Sequence, residues 1–342
     1  MTDTAPLQAL VRRVQGDVQK LTAMPGGAST RQYYRVTFSD GRAAIGMFVP
    51  GADRPEESVH DLSARPRWPF LEVRDLLEAR GVRVPRLLGE DCDRGWLLVE
   101  DLGDDTLAAR IEAHPEERAP LYTKAVCDLA RAQDALRDLP PQSVVGGRAF
   151  DADLLYWELE HFREWGLDAR GKKLSSEDRA AFDAIARRLA GRIGAWQRGF
   201  THRDYQSRNL MVAGGELVWI DFQDALLGPR AYDLVALLQD SYQSFDASFV
   251  DDRLKEYAET AGLDGADRKA LRLEFDLLTV QRKLKDAGRF VFIERVKGNP
   301  SFLRYIEPSL ARVRGALERV APHDPDLSKL HGILRRALPE SF

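Results

Sequence analysis

Cysteine is scarce. Cys92 and Cys127 are the only two in 342 residues, too few for a disulfide framework, and a reducing compartment is expected. No run approaches the ~18 apolar residues that a membrane span needs. The opening Met-Thr-Asp-Thr-Ala-Pro has no basic stretch followed by an apolar core, so no secretory signal is expected. An excess of one charge is missing too. Lys and Arg number 50 against 54 Asp and Glu, a net charge of −4, which gives no electrostatic case for nucleic acid or an anionic membrane as partner. The six histidines, His60, His114, His161, His202, His323 and His331, are scattered; without zinc-ligand spacing they argue against a His/Cys metal centre. Internal repeats and low-complexity tracts are also lacking. The expectation is a cytoplasmic protein and a monomer.

What is present is ordinary for a soluble globular chain, with 44% hydrophobic and 30% charged residues. Single cores stop growing at roughly 250–300 residues, so two packed regions are expected. The first is β-rich. Leu7, Leu10, Val11, Val14 and Val18 recur at helical steps. Strand-like runs follow at 32–38 and 42–49 around Asp40-Gly41, a hairpin signal. Residues 50–69 read as an irregular loop, 70–80 as a helix closed by Gly81, and 86–90 and 96–99 as two more strands split at Asp93-Arg94-Gly95. Helices are expected at 116–138, 151–167, 175–198, 231–243, 248–262, 267–297 and 301–319. Among them sits one short hairpin, Leu210–Val212 and Leu217–Ile220, around Gly214-Gly215. The fold class is therefore α+β: a small β-rich lobe, 1–101, and a large mainly helical lobe, 102–342, with a cleft between them.

The chemistry concentrates in His202-Arg203-Asp204-Tyr205-Gln206-Ser207-Arg208-Asn209, followed by the hairpin and then Ile220-Asp221-Phe222. H-R-D-x-x-x-x-N with a later Asp is the catalytic-loop layout of kinases. Phosphoryl transfer needs a carboxylate beside the attacking hydroxyl and oxygen ligands that hold Mg²⁺ on the phosphates. Asp204 is the expected base. Asn209 and Asp221 are the expected Mg²⁺ ligands, and ATP the expected co-substrate. His202 is expected to be structural. Met24-Pro25-Gly26-Gly27-Ala28-Ser29-Thr30-Arg31 is a small-residue turn whose backbone can approach phosphate oxygens. Leu97-Leu98-Val99-Glu100-Asp101-Leu102-Gly103 suits a link between lobes whose backbone can pair with adenine.

On these residues the chain resembles the aminoglycoside phosphotransferase and choline kinase family, which has a protein-kinase-like two-lobed fold. "THRDYQSRNLMV", "WIDFQDALLGPRAYDLVALLQDSY", "MPGGASTRQYYRV", "LLVEDLGDDTL" and "VQRKLKDAGRF" look most like one branch, the anomeric kinases for N-acetylmuramate and N-acetylglucosamine of bacterial cell-wall recycling. The resemblance implies that Ser29, Thr30 and Arg31 lie over the phosphates. It implies that Glu100 and Leu102 hold adenine through their backbone, and that Asp233 is structural.

The chain departs from the family in two places. Met47 stands where members commonly carry a phosphate-contacting lysine, and no Lys occurs between Lys20 and Lys124. Arg31, Arg35 or Arg42 supplies that charge, or the branch works without it; the lysine's glutamate partner, Glu72 or Glu78, is open as well. Asp221-Phe222-Gln223 replaces D-F-G, with no A-P-E afterwards, which argues against a protein kinase. For the acceptor, residues 276–297 hold six cations against three anions, favouring an acidic or neutral sugar over a polycation. Arg208, Glu158, Arg163 and Arg282 are the expected acceptor contacts. The rival readings are an antibiotic kinase, a choline or other small-alcohol kinase, and a non-catalytic nucleotide-binding scaffold.

Overall fold

In the computed structural model, residues 2–14, 16–25, 31–50, 68–140 and 142–342 are described. The chain opens with α1 (Ala5–Val14) and continues into β1 (Val18–Ala23), β2 (Gln32–Phe38), β3 (Ala43–Phe48), α2 (Pro69–Ala79), β4 (Leu87–Asp91) and β5 (Trp96–Glu100). The strands make one antiparallel sheet in the order β1-β2-β3-β5-β4. The helix predicted to run on to Val18 stops at Val14. Gly16 takes φ +106°, which ends helical continuity, and Val18 pairs with Phe38 instead.

Strand alternation gives the sheet two apolar faces. Val36, Phe38, Ala44, Trp96 and Leu98 pack with Leu7, Leu10 and Val11 of α1. The approach is close at Gly46, where a Cβ would lie 2.5 Å from a methyl of Leu7. On the opposite face Met47 and Leu97 pack with Leu71 of α2.

The remainder is mostly helical. In order come α3 (Leu107–Ala113), α4 (Arg118–Ala135), α5 (Ala152–His161), α6 (Ser176–Gly194), β6 (Arg198–Thr201), β7 (Leu210–Ala213), β8 (Glu216–Trp219), β9 (Leu226–Pro229) and α7 (Tyr232–Leu238). Then follow α8 (Ala247–Thr260), α9 (Gly265–Lys297), α10 (Ile306–Val320) and α11 (Pro325–Ala337). Side chains of Thr106, Asp151, Ser175, Asp264 and Asp324 accept first-turn amides and fix five helix starts. β6 pairs with β9, and β7 with β8.

Three predicted helices are cut short by five or more residues at one end. The one at 151–167 gives way at Phe162 to a wider π turn, Phe162–Leu167. The one at 231–243 ends at Leu238, because the Asp240 carboxylate takes the Tyr242 amide (3.0 Å) and both the amide and hydroxyl of Ser207 (3.1 and 2.5 Å). The one at 301–319 begins as a tight 3₁₀ run, Pro300–Tyr305; Pro308 has no amide and fits only the first turn of the helix that restarts at Ile306.

The large core, built mainly from the helical part, also takes in Val73, Leu77, Val82 and Val84 from α2 and the loop after it. Phe70 stacks on Phe222 at 5.0 Å. The Val144 amide donates to Glu72, and the Trp219 amide to the Arg83 carbonyl at 2.9 Å. No described helix is long and apolar enough to cross a membrane.

Candidate active site

The loop His202–Asn209 leaves β6 in a strained conformation. Arg203 sits at φ +78° and Asp221, after β8, at φ +62°; non-glycine residues in this region carry a conformational cost and persist only when held. The holding groups are visible. Asp233, fully buried at the start of α7, accepts the amides of His202 (2.7 Å) and Arg203 (3.0 Å). Arg282 of α9 donates to the Arg203 carbonyl at 2.8 Å. His202 Nδ1 accepts the Asp204 amide at 3.3 Å, so Nε2–H donates to the Ile220 carbonyl at 3.1 Å. Burial pushes His202 down to about 4, which keeps it neutral in that role. It ties the loop to the chain just before Asp221. This fits the structural roles expected of His202 and Asp233.

The Asp204 carboxylate faces the Nη2 of Arg282 at 3.3 Å, its side chain 37% exposed against 4% for the arginine. The arginine thus supports the carboxylate from beneath and leaves one side open. Asn209 Nδ2 donates to the Asp204 carbonyl at 2.9 Å, which turns its amide oxygen the other way. The β7–β8 hairpin closes through Gly214 and Gly215, both at positive φ, as a tight two-residue turn requires. It returns the chain so that the Ile220 amide donates to the Asn209 carbonyl at 3.0 Å. Asp221 therefore emerges beside the loop. Its Oδ1 accepts from Gln223 Nε2 at 2.9 Å and Arg31 Nη1 at 3.3 Å. Desolvation within the site, and then the charge of Asp204, raises its carboxyl above the ordinary range, with 43% of the side chain still exposed. The Asp221 carboxylate and the Asn209 amide oxygen, carried by two stretches that the Ile220–Asn209 backbone bond joins, are hard oxygen donors of the kind Mg²⁺ takes. The residues fit the ion.

On the nucleotide side, β5 runs out at Glu100 and continues through Leu102. The Glu100 side chain is engaged by Arg83 (2.8 and 2.9 Å) and by the Arg86 amide at 3.1 Å. Burial alone would raise its carboxyl, but these donors hold it below the ordinary range. Arg35 of β2 meets Asp101 at 2.7 Å and Asp104 at 2.8 Å. Met47, expected at the nucleotide, is 4% exposed in the apolar contact with Leu71 and Leu97. Ser29 and Thr30 lie outside the described residues; Arg31 is described and reaches the site.

The four expected acceptor residues divide. Arg282 is buried beneath the loop, also stacked over Tyr232 at 4.7 Å. Arg208 lies over the Tyr242 ring at 3.7 Å and donates to the Tyr305 hydroxyl at 3.3 Å. Glu158 is fully buried, accepting from Gln281 at 2.7 Å and 4.0 Å from Lys285. Arg163 is drawn instead into Glu160 (2.9 Å), Asp168 (2.8 Å) and Asp183 (3.7 Å). Two supporting residues escaped the sequence reading. Asp240 fixes Ser207, and Asp286 pairs with Lys283 at 2.7 Å. Burial pushes Lys283 down to about 8; for Asp286, burial is outweighed by Lys283, Lys285 and Arg282, which hold it well below the carboxylate range. An Asp two residues beyond the apolar run 234–238 was the available signal for the first.

Residues 20–273 match the family model described as "Phosphotransferase enzyme family". The chain is 31% identical over 310 residues to an N-acetylmuramate/N-acetylglucosamine kinase of Neisseria meningitidis, covering 88% of this chain and 85% of the relative. It is 33% identical over 312 residues to a protein of the same name from Pseudomonas aeruginosa, covering 87% and 86%. Among solved structures, an ADP-bound aminoglycoside phosphotransferase superposes with TM-score 0.58 at 13% identity, covering 91% and 98%. A choline kinase from Cryptosporidium parvum superposes with TM-score 0.61 at 10% identity, covering 97% and 99%. At such identities these two show the fold, a two-lobed kinase-like architecture.

Proposed function

The chain belongs to the phosphotransferase enzyme family and transfers phosphate to a hydroxyl acceptor; on that premise we propose that it is an ATP-dependent kinase for the anomeric C1 hydroxyl of N-acetylmuramate, N-acetylglucosamine or both. The observation that carries the chemistry is the unit formed by the loop and hairpin, in which Asp204, Asn209 and Asp221 meet under the bonds from Asp233, His202 and Arg282. The acceptor is carried by the name of the two relatives at 31 and 33% identity.

In this reading the cleft lies between lobes 1–101 and 102–342, and the backbone of Glu100 and Leu102 holds adenine. Asp204 accepts the proton of the acceptor hydroxyl. An anomeric hydroxyl is more acidic than an ordinary alcohol, which eases that transfer. Arg282 orients the Asp204 carboxylate, and Asp233 keeps the backbone of the loop in place. Asn209 and Asp221 would hold Mg²⁺, which supplies charge neutralisation on the phosphates when bound. Arg282 beside Asp204 and Arg208 further along the same loop favour an uncharged or carboxylate-bearing sugar over a polycationic antibiotic.

The test is ATP turnover on N-acetylmuramate, N-acetylglucosamine, kanamycin and choline, with ³¹P NMR of the product. A sugar 1-phosphate coupled to its anomeric proton is expected, and Asp204→Asn should slow its formation about 10²- to 10⁴-fold. Product from kanamycin or choline alone would overturn the acceptor. Full turnover by Asp204→Asn would overturn the base.

A further inference from the structure

Protein kinases present a lysine from the third strand to the nucleotide's phosphates and pair it with a glutamate of the neighbouring helix. Neither half of that device is in place here. Met47 is packed between Leu71 and Leu97. Glu72 of α2 accepts the backbone amide of Val144, and Glu78 pairs with Arg74 at 2.7 Å. Phosphoryl transfer still requires positive charge on the phosphate oxygens.

Arg31, Arg35 and Arg42, the arginines expected to supply it, are separated by their surroundings. Arg42 is bound to Asp40 within its own turn at 2.7 Å. Arg35 is clamped to Asp101 and Asp104 beyond the sheet. Arg31 immediately precedes β2, two residues before Tyr33. Tyr33 pairs with Met47. Arg31 thus stands two residues along the chain from Tyr33, the strand partner of the lysine position. Its Nη1 lies 3.3 Å from Asp221 Oδ1, with the side chain 15% exposed.

We propose that Arg31 is the phosphate-holding cation of this kinase, taking over from the lysine that Met47 displaces, and that nucleotide binding exchanges its bond to Asp221 for one to the phosphates. This rests on the kinase reading above. The chemistry suits the exchange. A guanidinium offers two parallel N–H groups to a phosphate, whereas toward Asp221 it presents Nη1 to one carboxylate oxygen. Until nucleotide arrives, the same guanidinium offsets the repulsion between Asp221 and Asp204. Once it moves, Asp221 is left to the ligand role assigned to it.

The experiment is calorimetric binding of ATP and of adenosine to the full chain, as wild type, Arg31→Met and Arg31→Gln. Both variants should bind ATP about 10- to 100-fold more weakly and adenosine within about twofold of wild type, the adenosine signal reporting an intact fold. Unchanged ATP affinity would overturn the proposal. Equal losses for ATP and adenosine would also overturn it, reducing Arg31 to a strut between the two parts. Wild-type protein that binds neither ligand would overturn the kinase reading itself, an outcome distinct from both.

Discussion

The Asp233 carboxylate accepts the backbone amide of His202 at 2.7 Å, and the two side chains are shifted in opposite senses. Burial pushes the Asp233 carboxyl up to about 7, with the two amides and Arg282 working against that rise. Burial pushes His202 down to about 4. Between about pH 6.5 and 4 the unfolded chain takes up a proton on His202 that the native protein refuses, so this group makes stability fall on acidification. Between about pH 7 and 4 the native protein binds a proton on Asp233 that the unfolded chain does not, so that group makes stability rise on acidification. Each is worth on the order of 3 kcal/mol, and in the wild type they largely offset one another. Asp233→Asn removes one side of the balance. Its urea-unfolding free energy should drop more steeply than that of wild type from pH 6.5 to 4.5, by about 2 kcal/mol. Parallel slopes for the two proteins would show that this account of the pair is wrong.

The helix pair α5–α9 rests on a residue without a side chain. A Cβ at Gly288 would lie 2.7 Å from Phe162 Cα and 3.1 Å from the His161 carbonyl. Gly288→Ala should push the helices apart and cost about 1–3 kcal/mol, seen as a lower midpoint in thermal unfolding; an unchanged midpoint would mean that the contact is not close. Helices such as α4 and α9 were legible in the sequence because apolar periodicity and capping residues are local signals. Asp204, Asn209 and Asp221 were legible because one loop and one hairpin carry all three. The pairing of β6 with β9 was not, since four-residue strands some 25 residues apart leave no periodic trace. α3 was too short to register. α11 had a readable start in Asp324-Pro325 that went unused. The fate of Glu72 was hidden for another reason: its partner, the Val144 amide, is backbone and has no sequence identity. Arg282 was legible as a cation on a helix near the acceptor, but its burial beneath Arg203 and Asp204 depends on how α9 crosses the loop.

At the scale of the molecule, the two expected lobes are less separate than their composition suggests. Val73, Leu77, Val82 and Val84 belong to the large core, Phe70 stacks on Phe222, and Arg31 and Arg35 reach from β2 and its approach to Asp221 and Asp104. Such shared burial predicts one cooperative unfolding transition. ADP at about 100 times its dissociation constant should raise stability by about 2.7 kcal/mol, moving that transition as a whole. Two resolved transitions, with ADP moving one alone, would show lobes that unfold independently.

The placement of α2 also sets an order of events at birth. When residues 69–79 leave the ribosome, the strand run and loop that carry Trp219 and Phe222 have not been made. About 150 residues separate Phe70 from Phe222, which at 5–20 residues per second is a wait of roughly 8–30 seconds. Through that interval Leu71 can already rest on Met47 and Leu97, but Phe70 lacks Phe222, and it is that side of α2 that would call on a chaperone in a nascent chain.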